Sequence, residues 1–209
     1  MRKFFVCLML CIAIGATARE KRDDSKYLAG AVPEVNGLVT FKKSFTVPGK
    51  SPQEIREVVK TLIGGMVNNS IPAPGNYARI MEDSEQCFVA RVCEWMVFKK
   101  KFLNLDRTRF RYQIEVNFEG SRVETTIHQL TYYYSENMEG EQGMLFKAEE
   151  WISDKEALNK TQTKLYPKSG KFRRKTVDRM EEIFDNLMDA FEEKEVAPVK
   201  PVRKSVVED

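Results

Sequence analysis

The chain has 209 residues, with 34 Lys or Arg against 31 Asp or Glu and a formal charge of +3. So even a balance gives no electrostatic case for a nucleic-acid or anionic-membrane partner. The length suits one domain with appendages and is enough to bury a core without disulfide staples.

The chain opens with Arg2 and Lys3, an unbroken apolar run from Phe4 to Ile14, and Ala16-Thr17-Ala18, a small-x-small cleavage signature. The apolar run of 11 residues is well short of the roughly 20 that span a bilayer. Residues 1–18 are therefore expected to be a signal peptide removed after Ala18. That would leave no transmembrane anchor and a product in the periplasm or outside the cell. Bulky Leu10 before Cys11, and Phe5-Val6 before Cys7, argue against lipid attachment. Loss of Arg2 and Lys3 leaves 32 basic against 31 acidic residues.

Residues 19–32 are charged and read as a mobile spacer. A single α+β domain is expected over 33–194, followed by a disordered tail over 195–209. Val39 to Val47 has strand alternation, with Val39, Phe41, Phe45 and Val47 on one face, and Pro48-Gly49 ends it. Ser51-Pro52-Gln53-Glu54 is a capping box with proline in the first helical position. Ile55, Val58, Val59, Leu62 and Met66 then form a helical stripe, which Gly64-Gly65 weakens toward its end. The loop Asn68 to Asn76 follows.

Four strands are expected next: Tyr77 to Met81, Gln86 to about Phe102, Arg109 to Phe118, and Arg122 to Tyr134. The second has a bend predicted at Cys93-Glu94-Trp95, where its pattern is disturbed. The third alternates most cleanly: Phe110, Tyr112, Ile114, Val116 and Phe118 face one way, and Arg111, Gln113, Glu115 and Asn117 the other. That pattern means one buried and one wet face, as in an antiparallel sheet covered by helices on one side. The fourth strand changes phase between Ile127 and Leu130, which predicts a bulge near His128-Gln129. Cys87 and Cys93 lie six apart in the second strand. About 20 Å would separate them, beyond the roughly 7 Å between Cα atoms that a disulfide tolerates, so no bridge is expected. Residues 135–171 read as a long connection with one short helix around Trp151. A final amphipathic helix, about Arg173 to Lys194, carries Val177, Met180, Ile183, Phe184, Leu187, Met188 and Phe191 on one stripe.

The resulting β-α-β-β-β-β-α order predicts a curved antiparallel sheet with helices packed on one face. The sequence also resembles a family of secreted Bacteroidetes proteins of unknown function with a TATA-binding-protein-like fold. The residues that carry the likeness are Pro33-Glu34-Val35-Asn36-Gly37 before Val39-Thr40-Phe41, Phe45 to Lys50, the Gly120 return, and Lys171 to Phe184. The resemblance implies the fold. It brings no catalytic, cofactor or ligand residues, and the fold name does not imply DNA binding.

Chemical signatures are sparse. His128 is the single histidine, and a base needs a nucleophile beside it. No Gly-x-Ser-x-Gly, phosphate loop or zincin motif is present. The expectation is an exported non-enzymatic envelope protein without cofactor, metal or nucleic-acid partner. It would bind an envelope protein or a glycan through the wet sheet face or the 135–171 segment. Tyr133, Trp151, Arg173 and Arg174 are the candidate contacts, Tyr133 because three consecutive tyrosines cannot all face inward. The arginines belong to the basic run Lys171 to Lys175, which with Lys99 to Lys101 could attract an anion. Two alternatives remain open. One is a carrier of small apolar ligands, its pocket between sheet and final helix lined by Phe110, Tyr112, Ile114 and Phe184. The other is a hydrolase with an unrecognised site, which a carboxylate cluster or a serine within hydrogen-bond reach of His128 would mark.

Overall fold

The computed structural model describes residues 22–69, 75–101, 104–134 and 143–191. The expected signal peptide, the tail and most of the polar 135–143 loop lie outside these residues. Two short strands, β1 (Glu34–Val35) and β2 (Leu38–Val39), form a hairpin. Its two-residue loop, Asn36-Gly37, has positive φ at both positions, 52° and 77°, as a type I′ turn requires. Strand β3 (Phe41–Thr46) leads to helix α1 (Pro52–Asn69). The capping box closes there: the Ser51 N–H donates to Glu54 Oε2 at 2.7 Å, and the Glu54 N–H returns to Ser51 Oγ at 3.3 Å. Ile55, Val59 and Ile63 form its buried stripe.

Four long strands follow: β4 (Tyr77–Asp83), β5 (Cys87–Lys101), β6 (Asn104–Glu119) and β7 (Arg122–Tyr134). A further strand, β8 (Met144–Lys147), and two single-turn helices, α2 (Ala148–Trp151) and α3 (Asp154–Ala157), precede α4 (Pro167–Asp189). All strand pairs are antiparallel, in the order β3-β7-β6-β5-β4. Strand β8 shares the β3 edge of β7, pairing Thr131–Tyr134 where β3 pairs Arg122–Ile127. Both long helices pack against the sheet and touch each other. The even-numbered apolar side chains of β5 and β6 point at them and are buried. Phe110 stacks on Tyr132 at 5.2 Å, and the Phe172 ring contacts Phe98, Tyr132, Tyr134, Phe146 and Trp151.

Four expectations need correction. Strand β5 does not bend at Cys93-Glu94-Trp95; it runs on and its register slips later, between Val97 and Lys99. The disturbed pattern has another cause, since Glu94 points inward and is 4% exposed. Arg179 of α4 meets it with two bonds, Nε to Oε1 at 2.8 Å and Nη2 to Oε2 at 2.9 Å, and Tyr112 donates its hydroxyl at 2.9 Å. Burial, then the Glu94 charge, pushes the Tyr112 phenol well up, so it stays a donor.

Second, the last helix starts at Pro167 rather than Arg173. Pro167 presets the helical φ in the first turn. Gly170, which read as linker, is there because Leu165 crowds it: a Cβ would sit 2.9 Å from the Leu165 Cβ. Third, the stretch read as one connection over 135–171 includes β8, α2, α3 and the start of α4.

Fourth, residues 22–32 are not a loose spacer. Ser25–Tyr27 forms a turn of 3-10 helix whose charges find partners on α4. Arg174 grips Asp24 with two bonds, at 2.7 and 2.6 Å, Lys26 reaches Asp178 and Glu181, and the Tyr27 hydroxyl donates to Asp178. Arg173 is fully buried. Its guanidinium donates to the carbonyls of Tyr27, Leu28 and Ile152 and to Asp154 Oδ1, all at 2.6–2.7 Å. Lysine carries the charge but cannot reach four acceptors held in a planar fork. Arg173→Lys is expected to cost about 3 kcal/mol in urea unfolding, because buried acceptors lose their donor.

The Asp24 contact also makes a pH prediction. The Arg174 bond holds the Asp24 carboxyl below the ordinary carboxylate value, with burial opposing. The unfolded chain therefore binds this proton first on acidification. Stability from the contact is present above the unfolded pKa of about 4 and is lost as pH falls through the lower folded value. Melting temperature should drop from pH 5 to pH 3, and Asp24→Asn should flatten part of that slope.

Candidate functional site

The same alternation that buries one side of β6 puts Arg107, Arg109 and Arg111 on the side away from the helices. Register groups them with residues distant in sequence. Trp95 of β5 stands across from Arg109, Val97 from Arg107 and Cys93 from Arg111. On the other side of β6, Tyr133 of β7 faces Arg109 and Thr131 faces Arg111. Strand β4 adds exposed Tyr77 opposite Cys93, and Arg79 directly opposite Arg91. The result is a patch of arginines and aromatics on the open face of the sheet.

Its centre is held in place. The Arg107 and Arg109 guanidinium carbons lie 3.7 and 3.9 Å from the centre of the Trp95 ring. Carbon atoms pack at about 3.5–4.0 Å. Each guanidinium must therefore sit almost directly over the ring, and the two cannot share one side of it. Trp95 is sandwiched, with a cation on each face of its π system. Arg109 Nη1 also donates to the Gly75 carbonyl at 2.8 Å, and Asn76 Oδ1 accepts from the Trp95 backbone N–H at 3.1 Å. The other end of the open face is of mixed charge: Glu115 and Asn117 of β6, and Glu124 of β7, which Lys42 meets at 2.7 Å and Arg122 at 3.5 Å.

Of the four candidate contacts, only Tyr133 belongs to this face. It is half-buried, and Gly143 lies against its ring so closely that a Cβ there would collide with it. Trp151 packs on the helix side, stacked on Phe146 at 4.4 Å and edge-on to Phe172 at 5.8 Å. Arg173 and Arg174 are removed as contacts because both are spent on the N-terminal segment and the α2–α3 corner. Within the same basic run, Lys171 is bound to Asp106 at 2.8 Å and to the Tyr134 hydroxyl. Sequence reasoning missed Trp95, Arg107 and Arg109. The alternating arginines of β6 were a signal of position, but only the register brings Trp95 between two of them.

His128 lies on the open face, its Nε2 3.7 Å from Glu115 Oε2 and without a hydrogen-bond partner among the described residues. No group of three or more His, Cys, Asp or Glu among the described residues could hold a metal. Cys87 and Cys93 are free thiols on one strand. The lining imagined for an apolar carrier pocket is instead packed core: Phe110, Tyr112, Ile114 and Phe184 are all buried. The cleft of about 290 Å³ between β5 and α4 is mixed: Trp95, Met96, Val97 and Phe110 line its sheet side, and Glu94, Lys175, Asp178, Arg179 and Glu182 bring charge to it.

A large antiparallel sheet, both long helices on one side and an open face on the other define an α+β protein of the TATA-binding-protein-like class. The family profile described as "Domain of unknown function (DUF4468) with TBP-like fold" matches residues 41–133. A crystal structure of a DUF4468 family protein from Bacteroides ovatus is 34% identical, with a TM-score of 0.72, over 85% of this chain and 100% of that one. The chain belongs to the DUF4468 family. A TBP-like protein from Parabacteroides distasonis shares the fold at 15% identity and a TM-score of 0.61, over 78% of this chain and 98% of that one. No curated protein matches the sequence. No helix among the described residues is long and apolar enough to cross a membrane.

Gly75 takes a φ of 99°, and a side chain there would run into the Arg109 guanidinium. Gly75→Ala should therefore displace Arg109 from Trp95. The expected readout is a shift in tryptophan emission with an unchanged far-UV circular dichroism spectrum.

Proposed function

We propose that this chain is an exported, non-catalytic binding protein. Its recognition surface is the arginine-rich half of the open sheet face, and its partner is an anionic component of the cell envelope, protein or glycan. The observation that carries this reading is the Trp95 sandwich. Two guanidiniums fixed on an indole ring lose little further freedom when an anion arrives, so less of the binding energy goes into ordering them. Arg79, Arg91 and Arg111 extend the positive area around it, and exposed Tyr77 and half-buried Tyr133 border it. Export is supported by the basic start, apolar run and cleavage signature of residues 1–18. The non-catalytic reading is supported by the absence of a nucleophile motif from the sequence and by a His128 whose one charged neighbour through Nε2 is a carboxylate, Glu115, rather than a nucleophile among the described residues. A nucleic-acid partner is disfavoured by export and by the nearly even charge of the whole chain.

The test is retention of the full chain on immobilised polyglutamate and polygalacturonate, with neutral dextran and duplex DNA as controls. The acidic polymers should retain it, and salt should release it. Trp95→Ala and Arg107→Gln should each weaken retention about tenfold, the scale of one charge-assisted hydrogen bond. Equal retention on dextran, stronger retention on DNA, or unchanged binding by both variants would defeat the reading.

A further inference from the structure

The bulge in β7 makes a second feature of the open face. Gln129 takes a φ of 54°, and the pairing with β6 slips between Arg111–Thr131 and Gln113–His128. A non-glycine residue held at positive φ is a local strain that often marks a functional place. Beside it lies a pocket of about 380 Å³, within the range of small-molecule sites. Arg91 of β5, Arg111 and Gln113 of β6, and Gln129 and Thr131 of β7 line it, with Lys147 at the end of β8. Leu38 and Glu149 stand at the rim, and Tyr112 and Leu130 form the apolar part of the lining.

Charge in this pocket is unbalanced. Three cations face one carboxylate, and Glu149 Oε1 is already taken by the Val39 N–H at 2.9 Å. Lys147 lies 3.7 Å from Glu150, with both side chains largely in solvent. Arg91 and Arg111 are exposed and have no hydrogen bond or ion pair among the described residues. Arg91 also stands directly across from Arg79, and like charges at facing positions destabilise a sheet. An anion between Arg91 and Arg111 would relieve that repulsion.

The remaining walls select among anions. The amides of Gln113 and Gln129 and the Thr131 hydroxyl both donate and accept, which suits neutral hydroxyl groups rather than further charge. Leu38, 50% exposed on the rim, offers an apolar surface to a ring of C–H groups. We infer that this pocket is a subsite for one carboxylated sugar unit, a uronic acid, with its carboxylate on Arg91 and Arg111 and its hydroxyls on Gln113, Gln129 and Thr131. The inference rests on the open face being the anion-binding surface, and it narrows the partner to an acidic glycan.

Calorimetric titration of the full chain with D-glucuronate, D-glucose and inorganic phosphate tests it. Glucuronate should bind saturably and at least about tenfold more tightly than glucose, since only the acid meets the arginine pair. Arg91→Gln and Arg111→Gln should each weaken glucuronate about tenfold without lowering the melting temperature, and Arg91→Gln, which ends the repulsion with Arg79, should raise it slightly. Gln129→Gly, which removes both the strain and the amide, should weaken it less. Equal binding of glucose, displacement by phosphate at matching concentration, or wild-type affinity in both arginine variants overturns the inference. The polyglutamate column separates the two readings. Retention there without glucuronate binding sinks the pocket alone, whereas loss of both sinks the open-face reading as well.

Discussion

The buried guanidinium of Arg173 is the constraint on which the rest of this fold is assembled. One side chain near the start of α4 gathers the backbone of the N-terminal turn, the end of α2 and the first residue of α3. Asp154 supplies its counter-charge and uses its other oxygen for the Gly30 N–H at 2.8 Å. A charge moved out of water is tolerated only when its bonds are made, so these three segments have to arrive together. Its neighbour Phe172 turns into the aromatic cluster below the sheet. Adjacent residues of α4 thus bind the polar corner and the apolar core to the same helix.

Glu94 repeats this logic inside the sheet. A carboxylate on the buried face of β5 would disrupt a core built only from apolar contacts. Here Arg179 and Tyr112 satisfy it, which fixes how α4 lies across β5 and β6. With the helices pinned to one side by charge as well as by packing, the other side of the sheet is left to solvent.

What could be read from the chain follows from which effects are local. Alternation located the buried face of β6, the phase change located the bulge at Gln129, and the capping box located α1, because each is written within a few residues. Arg173 and Arg174 misled because a basic run looks the same in sequence whether it is solvated or tied down 150 residues away, as Arg174 is to Asp24. Glu94 read as a break in the strand because its compensating charge lies 85 residues on, at Arg179. The patch around Trp95 is non-local in the same way. Alternation gives each of its residues a face, but strand register decides which of them touch.

The two ends of the open face differ in charge balance: arginines gather around Trp95 at one end, while at the other Glu115 lies beside a Glu124 already matched by Lys42 and Arg122. A sheet face of this kind carries an electric dipole in its own plane. A polyanion of the kind proposed above would feel a torque as well as an attraction, which would bring its densest charge to the arginine end. Such a surface would distinguish the two directions of a chain-like polyanion even when every unit of it is identical.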